Sequence, residues 1–348
     1  MTRRAAFQIG TYSVEAGQRQ TVDLPLSVLS NHTPMALPVH VAHGARPGPT
    51  LFVSAVIHGD EIIGVEIIRR LLALPVMSKL RGTLLAIPIV NAFGFISHSR
   101  YLPDRRDLNR SFPGSAKGSL AGQLADLFLT EIVARADVGI DLHSAAVHRV
   151  NLPQIRISPE QKRMEELAIV FGAPVILEAP LREGSLRQAA VDVGTDVMLF
   201  EAGEGLRFDE FAVRVGVTGI LRVMKQLGMV PARSVSDAKV APTISQSSYW
   251  LRAPDGGVLR SFKTIGDSVA EGDLVGIISD PFGEMETEVR ARDGGLLIGR
   301  TNLPVVNQGD GLMHIARHKR PGSLEATVGQ MIEAEMQADP LFDEDEII

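Results

Sequence analysis

The 348-residue chain contains no cysteine. That absence excludes disulfide bonds, a thiolate nucleophile and every cysteine-ligated zinc site. Any metal must then be held by histidines and carboxylates, a donor set that leans toward a catalytic site. Nor does any window approach the ~20 apolar residues of a membrane span. The opening MTRRAAFQIG carries a basic pair with no hydrophobic run of signal-peptide length behind it, so a cytoplasmic protein is the expectation. Positive charge is also in deficit: 35 Lys and Arg stand against 41 Asp and Glu, a net charge of -6. No electrostatic reason therefore exists to expect nucleic acid or an acidic membrane as partner. What remains, 45% hydrophobic and 22% charged residues, is the make-up of an ordinary globular protein with a substantial core.

The most informative stretch is residues 50–64, TLFVSAVIHGDEIIG. An apolar run from Leu51 to Ile57 stops abruptly at His58, Gly59, Asp60 and Glu61. Apolar residues then resume at helical spacing through Ile62, Ile63, Val65, Ile67, Ile68, Leu71 and Leu72. This predicts a buried strand, a polar turn and an amphipathic helix. Further strands are read at Gly82–Val90, Val138–Leu142, Val175–Leu177 and Val197–Phe200. Helices are read at Leu120–Ala134, Met164–Phe171, Leu186–Val193 and Phe211–Leu227. Such alternation predicts an α/β fold, a three-layer domain with a largely parallel central sheet, over residues 46–232. Residues 1–45 read as N-terminal strands packing on it, with His40 and His43 in surface or capping roles. Residues 233–248 read as an interdomain linker with one extended strand. From 249 to 318 short β segments are separated by DGG, IGD, EGD, DPFGE and QGD turns, which predicts an all-β domain. The tail, 319–348, holds one short helix near Leu324–Met336 and a solvated acidic end, Phe342–Asp345.

Four polar features fall just after apolar strands: His58 with Glu61, the loop after Asn91, His143, and Glu201. In a parallel sheet such strand ends lie along one edge, where distant residues converge. Two imidazoles and a carboxylate are the protein ligands of a typical hydrolytic zinc site, with the fourth position left for water. His58, Glu61 and His143 match that inventory. Asp141 or Asp60 is placed to receive the second ring N–H of a ligand histidine. A zinc hydrolase also needs a proton-transferring base, and Glu201 arrives at the end of a buried strand, where apolar neighbours would raise its pKa. Glu204, three residues on, fits a helix N-terminus better. The loop RYLPDRRDLNRSFPG, from Arg100 to Gly114, is the most basic stretch of the chain. One of its arginines suits a substrate carboxylate, another a developing oxyanion, and Asn109 adds a directional donor. Arg105 reads as solvated.

In order, His58-Gly59-Asp60-Glu61, Arg100-Tyr101, Asp107-Leu108-Asn109-Arg110, Asp141-Leu142-His143 and Glu201 resemble the succinylglutamate desuccinylase/aspartoacylase family of the zinc carboxypeptidase superfamily, over about residues 40–230. The resemblance implies a zinc-dependent amidohydrolase that removes an acyl group from a small N-acylated amino acid, with one Zn2+ per chain. It implies His58, Glu61 and His143 as ligands and Glu201 as general acid/base. It further implies that Arg100 polarises the scissile carbonyl while Asn109 and Arg110 hold a substrate carboxylate. A tyrosine assists in some relatives; Tyr249 is the only one in the C-terminal part of this chain, and no role is assigned to it. The C-terminal part resembles a barrel-sandwich hybrid of the biotinyl/lipoyl type. Its turn Asp280-Pro281-Phe282-Gly283-Glu284 lacks the lysine of a carrier, so the expectation is a cover over the site mouth or the interface of a homo-oligomer. The two-part layout resembles bacterial deacylases of N-acylated diamino acids, such as those of ectoine breakdown. Two alternatives stand beside this reading: a metallocarboxypeptidase acting on peptides, and a non-catalytic binding protein of the same fold.

Overall fold

The computed structural model describes residues 4–318 and 322–337; the acidic stretch Phe342–Asp345 lies outside the described residues. Four strands form the centre of the main sheet, in the order Asp196–Glu204, Val138–His143, Arg46–Ala55, Arg81–Ile87, all parallel. Antiparallel strands flank them. Pro34–His43 and then Gln18–Val28 extend one side, and Arg149–Ile157 adds to the other. The sheet is thus mixed, with a parallel centre formed by the buried apolar runs.

Two hydrophobic cores cover its faces. One is built with the helices Ile63–Ala73, Lys162–Phe171 and Glu210–Gln226, and Ile63, Ile67, Ile68 and Leu71 bury the apolar stripe seen in the sequence. The other is built with Leu120–Glu131 and Leu186–Asp192, together with the hairpin Phe7–Ile9 and Tyr12–Val14. This is the three-layer arrangement expected.

The strand Arg149–Ile157 has no counterpart in the sequence reading, and it joins the two halves of the molecule. Its last residues, 154–157, pair in parallel with Val175–Glu178, while its first, 149–151, pair antiparallel with Gly295–Thr301 of the C-terminal part. Gly311–Arg317 and Ser248–Arg252 continue outward from there. A second sheet, Glu286–Arg290, Leu274–Ser279, Gly257–Ser261 and Val305–Val306, packs against them around Tyr249, Val275, Ile278, Leu297 and Leu312. The C-terminal part is therefore all-β and built of two sheets, one of which is continuous with the main sheet. The stretch read as a linker is also engaged, because Thr243–Ser245 pairs with Val175–Leu177. The tail helix spans Gly322–Gln337 and buries Val328 and Met331. Among the described residues, no helix is long and apolar enough to cross a membrane.

Histidine 43 departs from its expected surface role. It is buried, and its ring bonds Thr83 Oγ1 at 2.9 Å and the Ala5 carbonyl at 3.0 Å. His40, half-buried, meets Thr21 Oγ1 at 3.0 Å.

Candidate metal centre and catalytic site

The turn that carries His58 is held in an unusual backbone conformation. Val56, fully buried and β-branched, has φ of 59°, a left-handed conformation that costs about 1–3 kcal/mol and tends to occur at functional sites. Neighbouring backbone secures it: Asn91 N donates to Val56 O at 2.9 Å and Val90 N to Ala55 O at 3.0 Å. Asn91, also fully buried, caps the following helix Ala92–Ser97 by accepting from Gly94 N at 2.8 Å. Gly59 is required by close approach, since a Cβ there would lie 1.9 Å from the carbonyl carbon of Gly94.

Within this frame Glu61 bridges the two histidines. His58 Nδ1 lies 2.7 Å from Glu61 Oε1 and His143 Nδ1 lies 2.6 Å from Glu61 Oε2. The three side chains are buried, and their ligand atoms all fall within 4.8 Å of one another. Among the described residues no other group of three such donors comes together. Each ring is anchored from behind. His143 Nε2 meets Asp141 Oδ2 at 2.7 Å, and Ser54 donates to Asp141 Oδ1 at 2.7 Å. His58 Nε2 meets Asp107 Oδ1 at 3.1 Å. The carboxylate behind His58 is thus Asp107, the first residue of the DLNR tetrad. Asp60 lies elsewhere: its Oδ1 is buried without a hydrogen-bond partner, and burial, followed by the charge of Glu61, raises its pKa.

Electrostatics hold this cluster charged. Burial alone would raise the Glu61 carboxyl, but the positive rings of His58 and His143 outweigh it and keep Glu61 far below the usual carboxylate range. Burial would likewise lower both rings. Glu61 and Asp107 instead raise His58, while Asp141 and Glu61 raise His143 well above an ordinary histidine. A divalent cation would take the place of the ring protons and leave the same set of donors: two Nδ1 atoms and a carboxylate, with the Nε2 atoms oriented by Asp107 and Asp141. That donor set fits a metal with an open coordination position.

Arg100 packs against the cluster. Its Nη1 donates to Glu61 Oε1 at 3.1 Å, and its Nε and Nη2 donate to Asp107 Oδ2 at 3.2 and 2.9 Å. Asn109 Oδ1 accepts from Leu186 N at 2.9 Å and so ties the DLNR turn to the helix Leu186–Asp192. Arg110 is exposed and donates to the carbonyl of Asn109. Glu201 lies beside His143, its Cα partner in the parallel ladder, but inside the strand Asp196–Glu204 and not at its end as expected, because residues 203 and 204 go on pairing with Asn151 and Val150. Its surroundings differ from those expected: instead of apolar neighbours, Glu201 Oε2 accepts from Asn151 Nδ2 at 2.9 Å and from Arg156 Nη2 at 2.6 Å. Tyr249 lies away from this cluster, its hydroxyl donating to Asp293 O at 2.8 Å within the C-terminal part.

Four residues missed in the sequence complete the site: Asp107, Asn151, Arg156 and Arg187. Arg187 is half-buried, with Nη1 enclosed and without a hydrogen-bond partner. Burial first, and then the charge of Arg156, push its pKa down to about 10, with Glu201 and Asp141 acting in the opposite sense. A signal for it existed: Arg187 follows Leu186 on a helix whose other buried positions are Ala189 and Ala190. Asp107 is legible as the one carboxylate of DLNR. Asn151 and Arg156 sit on the strand concealed by Pro153, which argues against a strand in the middle of a sheet.

A family model, the succinylglutamate desuccinylase/aspartoacylase catalytic domain, matches residues 47–227, just over half of the chain. The chain belongs to that family, whose catalytic domain is that of an amide hydrolase. It is similar to the N-alpha-acetyl-L-2,4-diaminobutyric acid deacetylase of Halomonas elongata, with 27% identity over 281 residues, 77% of this chain and 82% of the relative. Its fold is similar to that of the ectoine utilization protein EutE (DoeB) from Ruegeria pomeroyi, determined with product bound. There the TM-score is 0.77 at 23% identity, covering 86% of this chain and 95% of the other. A succinylglutamate desuccinylase from Silicibacter sp. TM1040 is similar as well, with a TM-score of 0.75 and 25% identity, covering 86% of this chain and 94% of that one.

Proposed function

We propose that the protein is a zinc-dependent deacylase that hydrolyses the amide bond of a small N-acylated amino acid. The observation that carries this reading is the Glu61 bridge between His58 Nδ1 and His143 Nδ1, with both outer nitrogens backed by carboxylates. Zinc bound there supplies Lewis acidity for the carbonyl and for the attacking water. The remaining work falls to side chains. Glu201 takes the proton from the water and returns it to the leaving amine. Arg100, fixed by Asp107 and adjacent to Glu61, stabilises the negative charge that develops on the carbonyl oxygen. Arg187 and Arg110, with Asn109, receive the substrate carboxylate, and Arg187 is the stronger anchor because it is the less hydrated. The name of the Halomonas relative supports an N-acetylated diamino acid as one candidate substrate.

The test is a hydrolysis panel of N-acetyl and N-succinyl amino acids, including Nα-acetyl-2,4-diaminobutyrate, run before and after chelation and after zinc is restored. Release of the free amino acid that stops with chelation and returns with zinc supports the reading. Chelator-insensitive release, or cleavage of peptides with no turnover of acyl amino acids, overturns it.

A further inference from the structure

Behind Glu201 one rung of the sheet runs from the catalytic strands into the C-terminal β part. Trp250 pairs with His314, His314 with Gly299, Gly299 with Asn151, and Asn151 with Gly203, two residues beyond Glu201. The side chains along this rung are interlocked. Trp250 and His314 stack with ring centroids 4.8 Å apart at 5°, and the Arg149 guanidinium lies 5.1 Å over the Trp250 ring. His314 is buried and bonds Ser248 Oγ at 2.8 Å, so it presents an uncharged ring on the side of Arg156. Gly299 has no positive φ, so its lack of a side chain serves space. A Cβ there would lie 2.5 Å from Asn151 Oδ1 and 3.4 Å from His314 Cβ.

The outcome is visible on one carboxylate. Asn151 and Arg156 both donate to Glu201 Oε2, while Oε1 accepts no hydrogen bond from the described residues. Arg156 has no other ion-pair partner among them. With one oxygen held twice and the other free, the carboxylate can neither rotate nor swap its two atoms without losing both bonds.

We infer that Asn151, Arg156 and Gly299 are positioning residues for the base. They hold Oε2 so that Oε1 is the atom that accepts the proton of the attacking water and delivers it to the amine nitrogen as the C–O bond forms and the C–N bond breaks. The C-terminal β part is then a component of the catalytic apparatus, acting through the space left at Gly299. This rests on Glu201 being the base of the proposed reaction.

The experiment compares Glu201→Gln, Asn151→Ala, Arg156→Ala, Gly299→Ala and the pair Asn151→Ala/Gly299→Ala as zinc-loaded full-length proteins. Zinc content, kcat and KM are measured on the best acyl amino acid of the panel. Asn151→Ala and Arg156→Ala should each lower kcat by about 10–100-fold, as small misplacements of a reacting group do, with KM nearly unchanged and zinc retained. Millimolar guanidinium should restore part of kcat to Arg156→Ala alone. Gly299→Ala should cost kcat in the wild-type background and almost nothing beside Asn151→Ala, where the atom it collides with is gone. This pair keeps the test sound if Gly299→Ala alone folds poorly. Wild-type kcat in both Asn151→Ala and Arg156→Ala, with Glu201→Gln inactive, overturns the inference and leaves the base assignment standing. A raised KM at unchanged kcat in Arg156→Ala also overturns it, by making Arg156 a substrate anchor. An active Glu201→Gln overturns the base assignment itself and the inference with it.

Discussion

The two halves of the site are built on opposite terms. In the imidazole–carboxylate half, both ring nitrogens of His58 and of His143, and both oxygens of Glu61 and of Asp141, have hydrogen-bond partners. The arginine half is incomplete by contrast: Arg187 Nη1 and Arg156 Nε are enclosed with no partner among the described residues. An unmet buried donor costs roughly 1–3 kcal/mol, more when charged. The first half is therefore organised by the fold alone and needs only an exchange of protons for a cation. The second carries a deficit, and at Arg187 the carboxylate of the proposed substrate would relieve it. In the proposed function, preorganisation would serve to hold the metal and unmet demand to select the ligand.

The largest effect that could break this contrast lies in the first half. His143→Ala should remove bound zinc and reduce turnover to background, checked by metal analysis and by the acyl amino acid assay. Asp107→Asn, which alters the carboxylate behind His58 and also loosens its hold on Arg100, should weaken zinc affinity by about 10–100-fold, measured by competition with a chromogenic chelator. Next comes Glu201→Gln, which should retain zinc and lose about 10²–10⁴-fold in kcat, as removal of a general base does. Unchanged turnover would reassign the base.

A smaller and more discriminating effect belongs to the second half. Arg187→Met should raise KM for substrates with a free carboxylate by an amount on the order of 2 kcal/mol, and leave amidated analogues alone. The same substitution should raise the Tm of the substrate-free protein, because it removes a buried donor with no partner. Arg110→Ala, on an exposed guanidinium, should show the KM effect weakly and no gain in Tm. A lower Tm for Arg187→Met would show that the donor is satisfied and that the two halves are alike.

The smallest effect is on pH dependence. The raised pKa values of His58 and His143 mean that their contribution to metal-free stability is full below the ordinary value near 6.5 and is lost as pH climbs through the raised values. Zinc must displace those protons, so its binding strengthens over the same climb. The Tm difference between zinc-loaded and chelated protein should therefore widen from acid to mildly alkaline pH by scanning calorimetry. A constant difference would mean that the rings bind no proton for zinc to displace.

Legibility in the sequence followed burial of the strands. His58, His143 and Glu201 each close an apolar run, with Glu61 in the turn that follows the first, and such a run marks a buried strand and the polar residue beyond it by pattern alone. The helix from Ile63 was equally plain, since its buried residues repeat at helical spacing. What escaped lies on elements where pattern and structure disagree. The strand Arg149–Ile157 holds Asn151, Pro153, Gln154 and Arg156, too polar and too interrupted to read as a buried strand. Its polar side chains bond Glu201 and the C-terminal sheet: Asn151 and Arg156 donate to Glu201, and Gln154 donates to the Ile298 carbonyl. The expectation of apolar neighbours for Glu201 failed for the same reason, because the adjoining strand was missing from the reading. Asp107 was passed over for its neighbours Asn109 and Arg110, since nothing in a tetrad shows that its carboxylate turns back toward a histidine 49 residues earlier.

Zinc titration into chelated protein, with deacylation followed at each addition, tests the central claim most directly. The account predicts activity that rises linearly and stops at one zinc per chain, and no such rise in His143→Ala. Full activity before any zinc is added, or full recovery in His143→Ala, would contradict it.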